Sequence, residues 1–338
     1  MKAAILKKYN KKCNDLKIEN IEIPKVKESE VLIKIKYAAV NPLDNMIARG
    51  DVKIIIPYKM PLIMGNEFSG IVESIGKKVI GFKKGDRVYG RMPLNKIGAF
   101  AEYASVDEKA LAIIPEYLSF KEAATIPLTA LTALQSFELM NTKPGETIFI
   151  SGGSGGTGSL GAMAIPIAKS LKLKVITNGS EENKERVLKL GADQFIDYKK
   201  ENYYDLIKNV DYVLDSLGIR ELEKEFEILK NGGTLVSLKG MPNGKFARRA
   251  NMPRIKQMLF QLVGNKYDKM ASKKDQKYEF LFVHEDGKQL EEIGKIFNKE
   301  NPIITSIDEI YSLEDINKAM EKVKNGHSKG KTIIKIGD

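Results

Sequence analysis

Three glycines near the middle of the chain have the spacing of a phosphate-binding loop. They spell G-x-G-x-x-G inside SGGSGGTGSLGAMAIPIAKS, with a predicted strand (ETIFI) before them and a predicted helix after them. In that setting the glycines allow a tight turn, close approach of the backbone to a pyrophosphate, and close packing of strand against helix. A flexible linker would not account for the flanking elements, and an ATP-type P-loop would need a Gly-Lys-Ser/Thr sequence. The residues predicted to contact a dinucleotide are Gly153, Ser154, Gly155, Gly156, Thr157 and Gly158.

The end of the next predicted strand indicates which dinucleotide binds. Asn178 and Ser180 follow KVIT, where a protein that binds NAD carries an acidic residue for the ribose 2′-hydroxyl. Lys184 and Arg186 come one turn later and would attract a 2′-phosphate. The predicted cofactor is therefore NADP(H). Tyr198, after the following strand, either lines the adenosine side of the site or is a surface tyrosine.

Few side chains are available to bind a transition metal or to form a disulfide. The chain has one cysteine, Cys13, and two histidines, His284 and His327. A tetrahedral Cys/His zinc site takes four ligands, so these residues cannot form one, and we expect no metal. A single cysteine cannot form an intramolecular disulfide, which favours a reducing, cytoplasmic compartment.

The elements that would position the glycine loop change character along the chain. Residues 1–118 show short strands punctuated by glycine, proline and aspartate, which predicts a β-rich domain. Residues 119–265 alternate strands with helices, which predicts βαβ units and a doubly wound parallel sheet of the Rossmann type. Residues 266–338 return to the first domain. At the junction, Ser119 and Glu122 predict a helix-capping box, and Pro127 predicts a break between two helical pieces.

The chain is basic, with a formal net charge of +11. Most lysines are interleaved with glutamate, as in EENKERVLKL, which is typical of a solvated surface, so we expect no nucleic-acid partner. The segment 245–277 is different, because it predicts one or two basic helices with an apolar MLFQLV side. It either packs over the cleft as a lid or associates with a membrane surface. No apolar run is long enough for membrane insertion, and MKAAILKKYN does not resemble a signal peptide.

Ordered motifs along the whole chain resemble those of one known superfamily. They are AVNPLDNMIARG, PLIMGNEFSGIVESIG, FKKGDRVYG, GAFAEYASV, AATIPLTALTAL, SGGSGGTG, LGADQFIDY and GHSKGKTIIKI. The sequence is similar to the medium-chain dehydrogenase/reductase superfamily, and within it to the zinc-independent quinone and enone reductases. This resemblance implies a GroES-like catalytic domain interrupted by a Rossmann domain, and a homodimer paired through sheet edges. Zinc-dependent members have a cysteine and a histidine where this chain has Asn41 and Asn66.

The resemblance also implies roles for individual residues. Asn41 is the leading polar group beside the nicotinamide, although an Asn-Pro turn would use the same residue. Thr132 lies next to the nicotinamide or bonds its own helix turn, and Tyr58 is a weaker candidate for orienting or protonating a carbonyl. The remaining cofactor positions could equally have strand-core or surface roles; they are Ser237 and Gly240 for the ribose, Phe282 and Val283 for the carboxamide, and Lys331.

The reaction predicted from these features is reduction of an electron-poor acceptor. Without a Lewis acid nothing stabilises an alkoxide, which makes alcohol oxidation difficult. A quinone or an α,β-unsaturated carbonyl accepts hydride and moves the charge onto oxygen, so water can supply the proton and no essential general acid is expected. Two alternatives remain, namely a zinc-free NADP-dependent alcohol or aldehyde oxidoreductase and a non-catalytic NADPH-binding protein.

Overall fold

The computed structural model describes residues 1–12, 15–153, 159–300, 302–326 and 329–337. The chain divides into two compact units. The first contains Met1–Leu131 and His284–Asp338, and the second contains Thr132–Gly155 and Leu160–Val283.

The strands and helices follow the coarse order that the sequence predicts, which is a β-rich segment, then alternating strands and helices, then a return to the first unit. The strands are β1 (Lys2–Leu6), β2 (Lys17–Asn20), β3 (Glu30–Val40), β4 (Leu62–Ile63), β5 (Glu67–Ile75), β6 (Arg87–Arg91), β7 (Tyr103–Asp107), β8 (Leu111–Ile113), β9 (Thr147–Ile150), β10 (Lys174–Gly179), β11 (Gln194–Asp197), β12 (Val210–Asp215), β13 (Leu229–Ser237), β14 (Lys277–Phe280), β15 (Ile307–Ser312) and β16 (Lys331–Lys335). The helices are α1 (Pro42–Arg49), α2 (Phe120–Ala123), α3 (Pro127–Met140), α4 (Ser159–Ser170), α5 (Lys184–Lys189), α6 (Tyr203–Leu206), α7 (Leu222–Ile228), α8 (Gly244–Arg249), α9 (Arg254–Ser272), α10 (Gly287–Ile296) and α11 (Ile316–Asn325). Within the described part of the chain, no helix is both long and apolar enough to cross a bilayer.

The second unit is built on a parallel sheet in the order β11-β10-β9-β12-β13-β14. After β9, strands β10 and β11 are added on one side of it. Strands β12, β13 and β14 are then added on the other side, so the strand order reverses between β9 and β12. Apolar side chains such as Phe149, Val213 and Leu235 are fully buried in the core of the sheet. This arrangement confirms the predicted doubly wound α/β fold.

The first unit holds a mostly antiparallel sheet in the order β15-β16-β3-β5-β6-β8, with β7 also pairing with β3. Strand β3 is its longest member and pairs with strands from both ends of the chain. The register sets Thr332 opposite Val40 and Glu67 opposite Ala39. Residues just beyond these pairs, Lys331 and Asn41, are therefore brought together although they are distant in sequence.

The helices α2 and α3, which follow the β-rich segment, begin as the sequence predicts. Ser119 N donates to Glu122 Oε2 (2.9 Å), and Glu122 N donates back to Ser119 Oγ (3.4 Å), which confirms the capping box. Helix α2 ends at Ala123 and α3 starts at Pro127, as expected from the proline.

The compact units divide after Leu131 and after Val283, later in the chain than the expected boundaries at 118 and 265. The second difference has a clear cause. Strand β14 pairs in parallel with β13 and completes the sheet, so the chain leaves the second unit only after that strand.

We expect Gly161→Ala to destabilise the second unit. A Cβ at Gly161 would lie 1.7 Å from the backbone oxygen of Gly153, so either the loop or α4 would have to move. Such overpacking lowers the free energy of unfolding by about 1–3 kcal/mol. Urea unfolding followed by circular dichroism measures the effect.

Gly294→Ala is the matched control, because its Cβ would have an ordinary 3.6 Å contact with Pro115. It should be neutral or slightly stabilising, since alanine is the better helix former. Equal stability of both variants and the parent chain would contradict the packing argument.

Candidate active site

A network of buried polar side chains lies where β3 meets α1 in the first unit. Asn41 is the N-cap residue of α1, with Pro42 in the first turn, so the chain turns sharply here. Its backbone N–H donates to Asp44 Oδ2 (2.7 Å). Asn41 is only 2% exposed, and its side chain is directed into the protein. Asn41 therefore starts the helix, as the Asn-Pro interpretation expects, and it also belongs to a polar network. Its place beside a nicotinamide stays a prediction.

Lys331 is the cation of this network. Its Nζ donates to Glu67 Oε1 (2.5 Å) and to Asn41 Oδ1 (2.6 Å). Both charged side chains are almost completely buried. Glu67 also accepts from Asn41 Nδ2 (2.8 Å) and from the backbone N–H of Leu128 (2.7 Å). A buried ion pair is tolerated only when its remaining hydrogen bonds are satisfied, and this one has several.

Asp44 links the network to Asn66. Asn66 Nδ2 donates to Asp44 Oδ1 (2.7 Å), so the carboxyl group receives hydrogen bonds at both oxygens. Burial raises the pKa of Asp44 to about 7, although those hydrogen bonds and Lys331 oppose the shift. Asp44 is therefore close to half protonated at neutral pH. With Asp44 neutral, the charges of Lys331 and Glu67 balance.

The hydrogen bonds of Asn41 limit what it can do for a bound molecule. Its two N–H bonds are directed at Glu67 Oε1 (2.8 Å) and at the carbonyl of Ala39 (3.3 Å). Its Oδ1 accepts from Lys331 and has a second lone pair. The amide can thus accept a further hydrogen bond, but it has no N–H left to donate to a carbonyl. The nearest fixed positive charge is the Lys331 ammonium.

Arg91 is a buried charge that the sequence analysis did not single out. It lies at the end of β6, opposite Glu67 in the sheet register, and is fully buried. Its Nη1 donates to the Met92 carbonyl (2.5 Å) and lies 3.6 Å from Glu285 Oε2. Its Nε and Nη2 have no hydrogen-bond partner within the described part of the chain. The available signal was a second arginine at the end of the predicted strand GDRVYGR.

Tyr58 is close to this charge but poorly suited to donate a proton. Its hydroxyl donates to the Leu94 carbonyl (2.8 Å). Burial raises its pKa to about 12. Proton donation to a substrate would require Tyr58 to give up the Leu94 bond.

In the second unit, the carboxyl end of β9 and β10 holds the start of the glycine loop. Gly152 N donates to Asn178 Oδ1 (2.7 Å), and Thr177 Oγ1 donates to the Ile150 carbonyl (2.7 Å). A Cβ at Gly153 would lie 2.2 Å from Thr177 Oγ1, so only glycine fits. This close packing is what a pyrophosphate-binding turn requires. Asn178 is thus a support for the loop, a role that its position in sequence did not reveal.

The ends of β12 and β13 form a second supporting network. Ser237 Oγ donates to the buried Asp215 (2.5 Å) and accepts from Gly240 N (2.7 Å). Asp215 also accepts from the backbone N–H groups of Leu217 and Gly218, each at 2.7 Å. Burial raises the pKa of Asp215, and these hydrogen bonds oppose the shift. The predicted ribose residues Ser237 and Gly240 are therefore joined directly by a hydrogen bond, and Asp215 holds the Ser237 hydroxyl in place.

Several cations gather beyond β10. Ser180 Oγ donates to Glu182 (3.0 Å), and Tyr198 N donates to the Gly179 carbonyl (3.1 Å), so the ends of β10 and β11 are adjacent. Glu181 pairs with Lys184 (3.3 Å) and Lys200 (3.1 Å). These contacts bring the predicted Ser180, Lys184 and Tyr198 to one corner of the sheet. Lys200 was missed because it follows a different strand.

The observed contacts of the remaining predicted residues say less about their roles. Thr132 is buried in α3, where its carbonyl accepts from Ser136 Oγ (2.6 Å). Phe282 and Val283 follow β14, and Leu281 N donates to the Ser237 carbonyl (3.1 Å). The predictions for seven residues fall outside the described part of the chain; these are Ser154, Gly155, Gly156, Thr157, Gly158, Cys13 and His327. Among the described residues, no group of three His, Cys, Asp or Glu side chains could hold a metal.

Comparison with known proteins places this architecture in a family. A model of the alcohol dehydrogenase GroES-like domain matches residues 27–116, and a model of the zinc-binding dehydrogenases matches residues 190–334. A mitochondrial NAD(P)H oxidoreductase of Dictyostelium discoideum is 30% identical over 99% of each chain. The chain belongs to the medium-chain dehydrogenase/reductase superfamily. Its relatives place it in the quinone and enone oxidoreductase branch.

For other relatives, the matched region covers less of the relative's own length. The 2-methylene-furan-3-one reductase of Solanum lycopersicum is 38% identical over 72% of this chain, but the match spans 64% of that protein. The match to the chloroplastic NADPH-dependent alkenal/one oxidoreductase of Arabidopsis thaliana spans 59% of its length. Among solved structures, the quinone oxidoreductase from Coxiella burnetii is 27% identical, with a TM-score of 0.83 over 100% of this chain and 99% of the other.

We expect Asp44→Asn to change how stability depends on pH. The folded pKa of Asp44 is about 7, whereas an unfolded aspartate titrates near ~3.9. At a pH between these two pKa values, the folded chain keeps a proton on Asp44 that the unfolded chain has lost. The contribution of Asp44 to the free energy of unfolding therefore falls as pH rises from about 4 to about 7, by up to about 4 kcal/mol. The variant should lack this fall.

Urea unfolding of both proteins from about pH 4.5 to about pH 8 gives the difference directly. Asp51→Asn, at an exposed aspartate shortly after α1, is the control and should follow the parent chain. Parallel curves for the parent chain and Asp44→Asn would mean that Asp44 titrates as in the unfolded chain.

Proposed function

We propose that this chain is a zinc-independent, NADPH-dependent reductase that transfers hydride to a quinone or an α,β-unsaturated carbonyl compound. The observation that carries the proposal is the buried Lys331 ammonium, held on Asn41 and Glu67 at the place where zinc-dependent members of the superfamily have a metal motif. The names of the Solanum, Arabidopsis and Coxiella relatives support the same reaction class.

The second unit fits NADP(H). The tight contacts at Gly153 and Gly161 leave room for backbone alone, as a pyrophosphate turn requires. Ser237 and Gly240 would hold the ribose, and Ser180 with Lys184 would hold the 2′-phosphate. When bound, the nicotinamide supplies the hydride. Thr132, Tyr198, Phe282 and Val283 stay proposed contacts from the resemblance.

The donor set of the first unit does not suit zinc. Asn41 and Asn66 offer neutral amides where a thiolate and an imidazole would bind the metal. The Asn41 oxygen already accepts from the Lys331 ammonium. A second cation close to that ammonium would be repelled. We therefore propose that Lys331 provides the fixed positive charge of this site.

The chemical role of the network follows from its hydrogen bonds. Hydride addition to a conjugated carbonyl places negative charge on oxygen, and a preorganised cation stabilises that charge. Lys331 can provide it, because Asn41 and Glu67 hold its ammonium in one position. Asn41 has only an acceptor to offer, so its contribution is to orient Lys331. The proton can come from water, since Tyr58 is bound to Leu94 and has a raised pKa.

A homodimer and a cytoplasmic location remain predictions. At the β14 edge, the carbonyls of Tyr278 and Phe280 already accept hydrogen bonds from Asn243 Nδ2 (3.2 Å) and Arg249 Nη2 (2.8 Å). Pairing of two copies through this edge would have to replace these bonds. We therefore propose that a sheet-edge dimer would use the β11 edge.

NADPH should bind more tightly than NADH, and Lys184→Ala should reduce that preference. Losing one charge-assisted contact to phosphate costs about 1.5–3 kcal/mol, which is a ~10- to 100-fold weaker Kd for NADPH. The Kd for NADH should change little, because it has no 2′-phosphate. Calorimetric titration of both cofactors measures this. Lys189→Ala, on the exposed face of the same helix, is the control. Equal binding of both cofactors by the parent chain would exclude the assignment.

Deuterium on the transferable position of NADPH should appear on the β-carbon of an enone product. Asn41→Ala should lower kcat by roughly 10- to 100-fold because Lys331 loses one of its two anchors, while the Kd for NADPH stays nearly constant. Mass spectrometry of the product and steady-state oxidation of NADPH with a panel of enones, quinones and aldehydes provide both measurements.

Loss of the label to solvent would rule out direct transfer. Turnover of aldehydes alone would favour the alcohol dehydrogenase alternative. Binding of NADPH without turnover of any acceptor would mean a non-catalytic NADPH-binding protein.

A further inference from the structure

Helix α9 is anchored to the second unit by one apolar face. Phe260, Gly264, Tyr267 and Ala271 are buried and follow one another at helical spacing. Tyr267 packs against Tyr278 of β14, with ring centroids 5.4 Å apart. Phe260 likewise contacts Phe246 of α8 edge-to-face. The helix is therefore a fixed part of the fold.

The opposite face of α9 is also apolar, but it is exposed. Ile255 is 83% exposed, Met258 is 70% exposed and Leu262 is 75% exposed. Leu259 and Val263, which follow Met258 and Leu262 directly, are exposed as well. Their spacing of three and four residues sets all five on one outward stripe. Isolated surface hydrophobics are ordinary, whereas a contiguous row of large ones marks a binding surface. We call these five residues the α9 stripe.

Charge indicates what the α9 stripe binds. Residues 245–277 include ten lysines and arginines against two aspartates, which is a formal charge of +8 out of +11 for the whole chain. Lys266, Lys269 and Lys273 continue the outward face beyond the α9 stripe and are exposed. Lys266 has an ion pair with Glu223, which is exposed and therefore weak. Asp268, the one acidic residue of α9, accepts a hydrogen bond from Asn243 (2.9 Å).

A second copy of this chain is a poor occupant for such a face. Pairing α9 with α9 would bring two segments of +8 against each other, and like charges across an interface oppose association. An anionic bilayer has the opposite charge and an apolar interior at the same time. Helices with one apolar face flanked by lysine and arginine lie in such interfaces, and each basic residue near the surface adds to the attraction.

We propose that the α9 stripe and its flanking cations bind the surface of an anionic phospholipid bilayer, with α9 lying in the plane of the interface. The large outward side chains enter the boundary between headgroups and acyl chains, and the lysines contact lipid phosphates. The helix keeps its buried face on the protein, so binding requires no unfolding. The attachment is peripheral.

Vesicle co-sedimentation of the full chain tests the proposal. Vesicles of phosphatidylcholine with about 30% phosphatidylglycerol should bind the protein, vesicles of phosphatidylcholine alone should bind at least about tenfold more weakly, and added salt should weaken binding. The double variant Met258→Gln/Leu262→Gln should reduce binding to the anionic vesicles by about tenfold or more. Ile80→Gln is the matched control, because Ile80 is an exposed apolar residue of the first unit, and it should bind like the parent chain.

Thermal unfolding checks that the double variant is folded. If the double variant is unfolded, Ile255→Gln takes its place, since Ile255 lies in the first turn of α9 and is the most exposed residue of the stripe. Failure of the parent chain to bind anionic vesicles at low salt would overturn the proposal. So would equal binding by a folded stripe variant and the parent chain. Light scattering that shows a parent dimer becoming a monomer in the stripe variant, without vesicle binding, would make the face a contact between copies.

Discussion

The buried ion pair between Lys331 and Glu67 is the interaction on which the first unit depends most. The two residues are 264 positions apart in sequence, and their contact joins the last strand of the chain to β5 beside β3. Removing either partner alone would leave a buried charge without compensation, which typically costs about 3–5 kcal/mol. The pair contributes less to net stability than that figure suggests, because both ions had to leave water. What it fixes is one register of β16 on β3.

The same pair sets the electrostatics around Asn41. Burial is the main penalty on an ionised Asp44, and the nearby Glu67 carboxylate adds to it. The network relieves this by holding a proton on Asp44 near neutral pH. The network thus combines the buried Lys331–Glu67 ion pair with a carboxyl group, Asp44, whose pKa is raised to about 7. This composition suits a site in which charge develops on a substrate oxygen, since a fixed cation needs no rearrangement when that charge appears.

Local patterns in the sequence were sufficient for part of this description. The capping box at Ser119, the break at Pro127 and the glycine loop after β9 all depend on residues within one or two turns of each other. Arg91 and Asn178 were not recognised for their contacts with Glu285 and Gly152, because these partners are distant in sequence. Lys331 was expected to touch the cofactor, and its pairing with Glu67 depends on sheet register that no local pattern encodes. The second boundary between the units lies later than expected, because β14 joins the parallel sheet after two consecutive helices, α8 and α9.

Lysine illustrates why the net charge of +11 is not a single signal. Lys331 is buried and has a fixed partner, so its charge belongs to one site. Lys184 and Lys200 share Glu181 at the end of β10, where an incoming phosphate would compete with that carboxylate for both ammonium groups. Lys266, Lys269 and Lys273 extend the α9 stripe, so their charge adds to the attraction that we propose between its apolar side chains and a bilayer surface. The net charge counts all these lysines equally, whereas their burial and their contacts differ, and so do the roles that follow from them.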